Sequence, residues 1–308
     1  MSAQEVLKSH RRDREIRLTY DNDVLFISDQ YYTSGANIAF SKIADTTKFI
    51  SKIFSRPNDN RTLIEFNYGH KIFNSKKVTE KDPLLRDRPF AGWHYGGISV
   101  LNFPSSVSMN KYTVEFGLVG PSSGIGDFQK WWHSSGNIAM PEGWDEQIQD
   151  EFVVNLGYSR FQELDISKKA DIVSEANITA GNGLTRLFEQ LTLRLGKINS
   201  VNNSVFTNSR LSNVLPKIGS LDNSQEELFF FYGIRGEYIN HNIFIDGSRF
   251  NNKSPLVRDS EDFLFTHTWG VMYSSYYSTF KVLFYRMSPE VVGGDIHRYV
   301  SFELGLRI

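Results

Sequence analysis

The sequence predicts an all-β chain folded as a 12-stranded antiparallel transmembrane β-barrel, with a short helix in an extracellular loop. Three observations predict it. Two-residue alternation of apolar and polar side chains recurs from one end of the chain to the other. The chain is polar on average, with mean hydropathy -0.35, yet it carries 24 Phe, 14 Tyr and 5 Trp. No run approaches the roughly 18–20 apolar residues of a spanning helix, and helical 3.6-residue periodicity is scarce.

The strands follow in order. Ile16, Leu18 and Tyr20 alternate with Arg17, Thr19 and Asp21, and Ala36, Ile38 and Phe40 with Asn37, Ala39 and Ser41. Ile64, Phe66 and Tyr68 make a third run, a weaker one covers 91–101, and Tyr112 to Leu118 make the fifth. Phe152 to Tyr158, a weaker 172–181, Leu191 to Leu195 and Leu228 to Ile234 come next. Weaker runs at 263–273 and 277–287 precede Val300 to Ile308. Such alternation marks strands with one apolar face. The best short helix is 127–134, with Asp127 as its expected N-cap.

What the second face meets decides the architecture. A β-sandwich exposes it to water; a membrane barrel encloses it as a polar lumen behind a lipid-facing band with aromatic girdles. The even strand number and the long loops at 44–60, 74–88, 120–150, 197–225 and 246–260 favour the barrel. Closure pairs the last strand with the first. No linker or repeat divides the chain, so one domain is expected over 1–308, with 1–13 as an N-terminal extension.

Composition removes other classes. With 34 Lys+Arg against 35 Asp+Glu the net charge is -1, which excludes a dominant nucleic-acid stripe. A content of 40% hydrophobic residues excludes a disordered chain. Zero Cys excludes disulfides, thiolate catalysis and Cys-type metal sites. Met1 to Arg17 is charged and has no apolar signal core, which fits either a cytosolic protein or a mature chain whose signal has been removed.

Four polar clusters fall at strand ends or in loops. Asp21-Asn22-Asp23 ends the first strand; its plain reading is a turn, its functional reading a hard-cation or water-positioning site helped by Thr33 and Ser34. Tyr31 to Gly35 opens the second strand, where Ser34 and Gly35 are candidates for facing an oxyanion. The loop holding Arg86 and Arg88 is either a paired surface loop or a phosphate contact. The loop from Gly120 to Asp150 holds His133, either an interfacial His or a general base oriented from Gln129. It also holds Trp131 and Trp132, plausible interface anchors, and Glu142.

In this order, Tyr20-Asp21-Asn22-Asp23, Tyr32-Thr33-Ser34-Gly35, Asp87-Arg88-Pro89-Phe90-Ala91-Gly92-Trp93, Gly120-Pro121, Gln129 to His133 and Gly143-Trp144-Asp145-Glu146-Gln147 resemble the lipid A deacylases of Gram-negative outer membranes. The resemblance runs from about residue 14 to the last strand. It implies a 12-stranded outer-membrane barrel that hydrolyses the 3′-linked acyloxyacyl ester of lipid A with Ca²⁺. The implied partners are lipopolysaccharide and outer-membrane lipids, with no nucleic acid, and the implied state is a monomer. Asn22, Asp23, Thr33 and His133 match four residues essential in the family, with Asp23 as the metal ligand. Ser34, Gly35, Arg86 and Arg88 are expected to contact substrate or oxyanion. The family's Glu does not carry over: its position falls on Ala139, and Glu142 stands three residues later as its expected substitute. The alternative is a non-catalytic barrel, lipid-binding or channel-like, that has lost the Glu.

Overall fold

The computed structural model describes residues 13–26, 28–45, 61–211 and 226–308. The expected extension before Asp13, and parts of the loops 44–60 and 197–225, lie outside the described residues. Twelve strands form: β1 Arg14–Asn22, β2 Tyr31–Ile43, β3 Thr62–Asn74, β4 Ala91–Ser105, β5 Ser108–Val119 and β6 Glu151–Ser167. They continue as β7 Ala170–Gly181, β8 Leu184–Lys197, β9 Glu227–Asn242, β10 Phe263–Ser274, β11 Ser278–Met287 and β12 His297–Arg307. Helix α1 spans Ile125–Gly136 and α2 spans Ile243–Asp246.

Each strand pairs antiparallel with its sequence neighbours, and β1 also pairs with β12, Glu15 opposite Arg307 and Asn22 opposite Val300. The sheet is therefore closed and presents no unpaired ladder edge to lipid. Its faces are inverted relative to a water-soluble protein. On β8, Leu191 is 55% exposed while Thr192 and Arg194 are wholly buried. On β1, Ile16, Leu18 and Tyr20 face outward and Glu15 and Arg17 inward. Apolar side chains outside and charges inside fit a lipid surround and exclude the sandwich.

The enclosed charges pair across strands. Arg17 bonds Glu15 at 2.8 Å, bonds Glu65, and lies 3.8 Å from Glu303. Lys111 approaches Glu65 at 3.2 Å, Lys281 approaches Glu303 at 2.8 Å, and Arg307 approaches Glu15 at 3.2 Å. This network ties β1, β3, β5, β11 and β12 through the interior.

We call the end where β1 begins and β12 ends lower and the opposite end upper. At the upper end, Ile243 and Phe244 of α2 pack on Tyr32, Phe73 and Trp93. At the lower end, Val201 and Leu211 fold inward onto Leu63, Leu101 and Phe103. Arg194 grips Asp171 there with bonds of 2.8 and 2.5 Å, and Glu227 accepts from Ser204 Oγ and the Val205 amide at 2.7 Å each. Between the plugs lies a polar chamber of about 420 Å³.

Two local expectations are corrected. Gly124, left-handed at φ 71°, is the N-cap of α1, and Asp127 is its third residue, where a carboxylate complements the helix dipole. Strand β2 begins at Tyr31, earlier than its alternation, because a bulge between Tyr32 and Ser34 breaks the two-residue period.

Arg17→Ala leaves three buried carboxylates without their shared guanidinium and is expected to cost about 3 kcal/mol. Urea unfolding in phospholipid vesicles reads this as a lower midpoint at unchanged slope; an unmoved midpoint would show that the network adds nothing.

Candidate active site

A cleft of about 460 Å³ opens at the upper rim, between the outer face of β1–β3 and helix α1. Its wall follows from strand phase. Tyr20 on β1, Ser34 and Ala36 on β2, and His70 and Ile72 on β3 are outward residues, and all line it. The bulge in β2 gives Thr33 no partner on β3. The extra residue turns both Thr33 and Ser34 into the cleft, between the inward Tyr32 and Gly35. Behind this wall a side chain at Gly35 would collide with the Tyr32 hydroxyl.

Helix α1 forms the opposite side. Its buried Ile125, Gln129 and His133 recur every fourth residue and so share one face. Gly126 admits the Trp144 ring, which a Cβ there would meet at 2.9 Å. Phe128, Trp132 and Ile138 are exposed large apolar residues that line the mouth. Asn137, left-handed at φ 50°, ends the helix and turns the chain back.

That reversal fixes the imidazole. His133 Nδ1 lies 2.6 Å from the Ala139 carbonyl. A carbonyl can only accept, so Nδ1 carries a proton, and in the neutral ring the lone pair is then on Nε2. Nε2 lies 3.5 Å from Asp29 Oδ2. Gln129 does not orient the ring; its Oε1 accepts from Trp144 Nε1 at 2.8 Å.

Asp29 and Asp23 form an anionic pair. Thr33 Oγ1 lies 2.7 Å from Asp29 Oδ1 and 3.0 Å from Asp23 Oδ1, so one hydroxyl proton serves two carboxylates. Ser28 Oγ and the Gln30 amide donate to Asp23 Oδ2 at 2.7 and 3.0 Å, and Asn74 Nδ2 donates to Asp29 Oδ1 at 2.9 Å. Burial, and to a lesser degree the charge of Asp29, push the Asp23 carboxyl up to about 7 against these bonds. Asn22 caps the turn beside them, its Oδ1 accepting from the Val24 amide at 2.7 Å.

The donor set fits a hard divalent cation. Asp29 Oδ2 is buried and has no hydrogen-bond partner, and beside it stands the Asp23 carboxyl, whose ionisation is suppressed chiefly by burial; hard cations prefer such carboxylate oxygens. Another carboxylate group among the described residues, Glu163, Asp165 and Asp171, lies at the lower end. There the protein supplies its own donors: Arg194 holds Asp171, and the Val201 amide bonds Glu163 at 2.6 Å.

The structure thus brings together Asn22, Asp23, Thr33, Ser34 and His133. It places Glu142 elsewhere: its carboxylate lies 4.0 Å from Lys81 Nζ and does not line the cleft. Arg86 pairs with Glu146 at 2.8 Å and bonds the carbonyls of Glu80, Lys81 and Glu142, clamping the loops. Arg88 is wholly buried, 2.8 Å from Glu290 and over the Phe73 ring. Neither arginine lines the cleft. Sequence reasoning passed over Asp29, whose Ser28-Asp29-Gln30 surroundings look like any polar loop; only the folded positions of the turn before β2 and of α1 set it against His133.

The family described as "Outer membrane protein LpxR" matches residues 1–308. LpxR from Salmonella typhimurium superposes with a TM-score of 0.73 at 15% identity, covering 96% of this chain and 100% of that one. The β domain of the Bordetella autotransporter BrkA superposes at 0.48 with 9% identity, covering 96% of this chain and 98% of that one. No curated protein matches the chain in sequence.

The raised Asp23 carboxyl has a stability consequence. Its folded value of about 7 exceeds the ordinary 3.8, so the folded state holds the proton longer. Without added cation, this group's contribution declines as pH rises from about 4 to about 7, by up to a few kcal/mol. Thermal unfolding of wild type and Asp23→Asn between those limits should show wild type losing stability relative to the variant; parallel curves would remove the inference.

Proposed function

We propose, from the premise that the chain belongs to the LpxR outer membrane protein family, that it hydrolyses the 3′-linked acyloxyacyl ester of lipid A, with His133 as general base. Its place is the bacterial outer membrane. The observation that carries the reading is the fixed His133 orientation: Nδ1 is tied to the Ala139 carbonyl and Nε2 faces Asp29 in a cleft on the lipid-facing side of the wall. The short turns 105–108, 167–170 and 274–278 at the lower end suit the periplasmic side. The cleft then sits at the outer leaflet, where lipid A lies, and its Phe128, Trp132 and Ile138 lip suits acyl chains.

The chemistry uses these side chains in turn. His133 Nε2 takes a proton from water as the water oxygen attacks the ester carbonyl carbon. Asp29, facing the ring, stabilises the imidazolium. His133 then returns the proton to the departing sugar oxygen as the acyl carbon–oxygen bond breaks, giving a free fatty acid and an alcohol. Asp23 and Asp29 are the residues that would hold Ca²⁺, which when bound supplies Lewis-acid stabilisation of developing negative charge. Thr33 keeps the two carboxylates in register, and Ser34 faces the same space. In this reading Asp29 does the work expected of Glu142, and Ala139 contributes through its main chain. The rival channel reading is opposed by the apolar plugs at both ends of the interior.

Purified protein in detergent with Ca²⁺ should release 3′-linked acyl groups from lipid A, read by mass spectrometry. His133→Ala and Asp29→Asn should each lose about 100-fold or more, Glu142→Gln little. Ala139→Glu tests the family position: because the Ala139 carbonyl already holds the ring, no gain is expected. Equal rates for wild type and His133→Ala would end the enzyme reading.

A further inference from the structure

One feature of the outer wall is left unused by the cleft. Arg286 on β11 stands directly opposite Arg298 on β12, and His267 on β10 stands directly opposite Arg286. Both guanidinium groups are exposed on the lipid-facing side. Among the described residues neither forms an ion pair or hydrogen bond within the protein. The inward arginines Arg17, Arg186, Arg194, Arg235 and Arg307 all have a carboxylate. Like charges directly opposite in a ladder are unfavourable, and no described residue supplies the pair with a compensating anion.

Depth and position say which anion. Arg286 is the penultimate residue of β11 and Arg298 the second of β12, both at the upper end. Two residues further along the same face, Trp269 stacks on Phe284 at 5.9 Å, and the Tyr232 hydroxyl lies 2.7 Å from His267 Nδ1. Trp and Tyr at this level mark the headgroup boundary. Val300, two residues on from Arg298, is opposite Asn22, and β12 packs against the turn Val24–Phe26 of the cleft. Strands about 4.8 Å apart let two guanidinium forks reach one phosphate, the geometry they favour.

We propose that His267, Arg286 and Arg298 form a phosphate subsite that holds the phosphorylated headgroup of lipid A beside the catalytic cleft. The assignment of the lipid rests on the deacylase reading; the phosphate chemistry rests on the arginine pair. The test measures binding without turnover, using full-length His133→Ala protein in detergent micelles with bisphosphorylated or dephosphorylated lipid A. Each variant is first checked for heat-modifiable gel migration as a folded barrel. The parent should hold the phosphorylated lipid about tenfold more tightly; R286Q/R298Q should bring the two lipids to parity, and R286K/R298K should keep part of the preference. A preference that survives R286Q/R298Q, or none in the parent, overturns the proposal. Displacement by inorganic phosphate at concentrations equal to the lipid overturns the lipid as ligand in favour of the free ion. Acyl release is measured separately on the otherwise wild-type chain, so that lost hydrolysis with intact phosphate preference sinks the deacylase reading and supports the subsite.

Discussion

Hydrocarbon offers no partner to a peptide N–H or C=O, and the protein is organised by that constraint. The twelve strands satisfy their backbones in one closed ladder, sealed where β1 meets β12. Closure in turn fixes the phase of every side chain, because successive residues point to opposite faces. Ile16, Leu18 and Tyr20 go to lipid, and Glu15 and Arg17 go inside. Charges enclosed this way need partners, and the network around Arg17, Glu65 and Glu303 provides them.

The candidate site arises where the ladder is locally relaxed. The bulge at Thr33 turns two hydroxyl side chains into the cleft on the outer face. Gly124 and Asn137, both left-handed, start and stop α1 so that it lies along the outside of the barrel. A helix held there, with His133 on its wall-facing side, makes a cleft on the outer side of the barrel wall. The closed interior is spared, and its plugs and chamber are compatible with a site that never uses the lumen.

Charge completes the arrangement. Asp23 and Asp29 crowd around one Thr33 hydroxyl, a costly pairing in a partly dry pocket. In the proposed reading such a pair takes a cation, and the same Asp29 meets the imidazole at Nε2. The position where a family Glu is expected carries Ala139, whose carbonyl holds the other side of the ring. Orientation and charge are thus divided between a backbone atom and a residue 104 positions before His133 in the chain.

The strands and their faces can be read from local pattern alone. Alternation is a local property dictated by a two-residue repeat, so all twelve segments were legible, down to which side of Phe66 or Leu191 meets lipid. The sequence also marked Asn22, Asp23, Thr33, Ser34 and His133 as chemically suited. It did not determine the company they keep. Whether Arg86 and Arg88 turn to substrate or clamp loops depends on Glu146 and Glu290, residues far away in sequence. Whether Asp29 or Glu142 faces His133 depends on a bulge and a helix reversal. Strand phase is set by neighbours along the chain, whereas loop contacts are set by register between distant strands, and only the folded barrel brings those strands together.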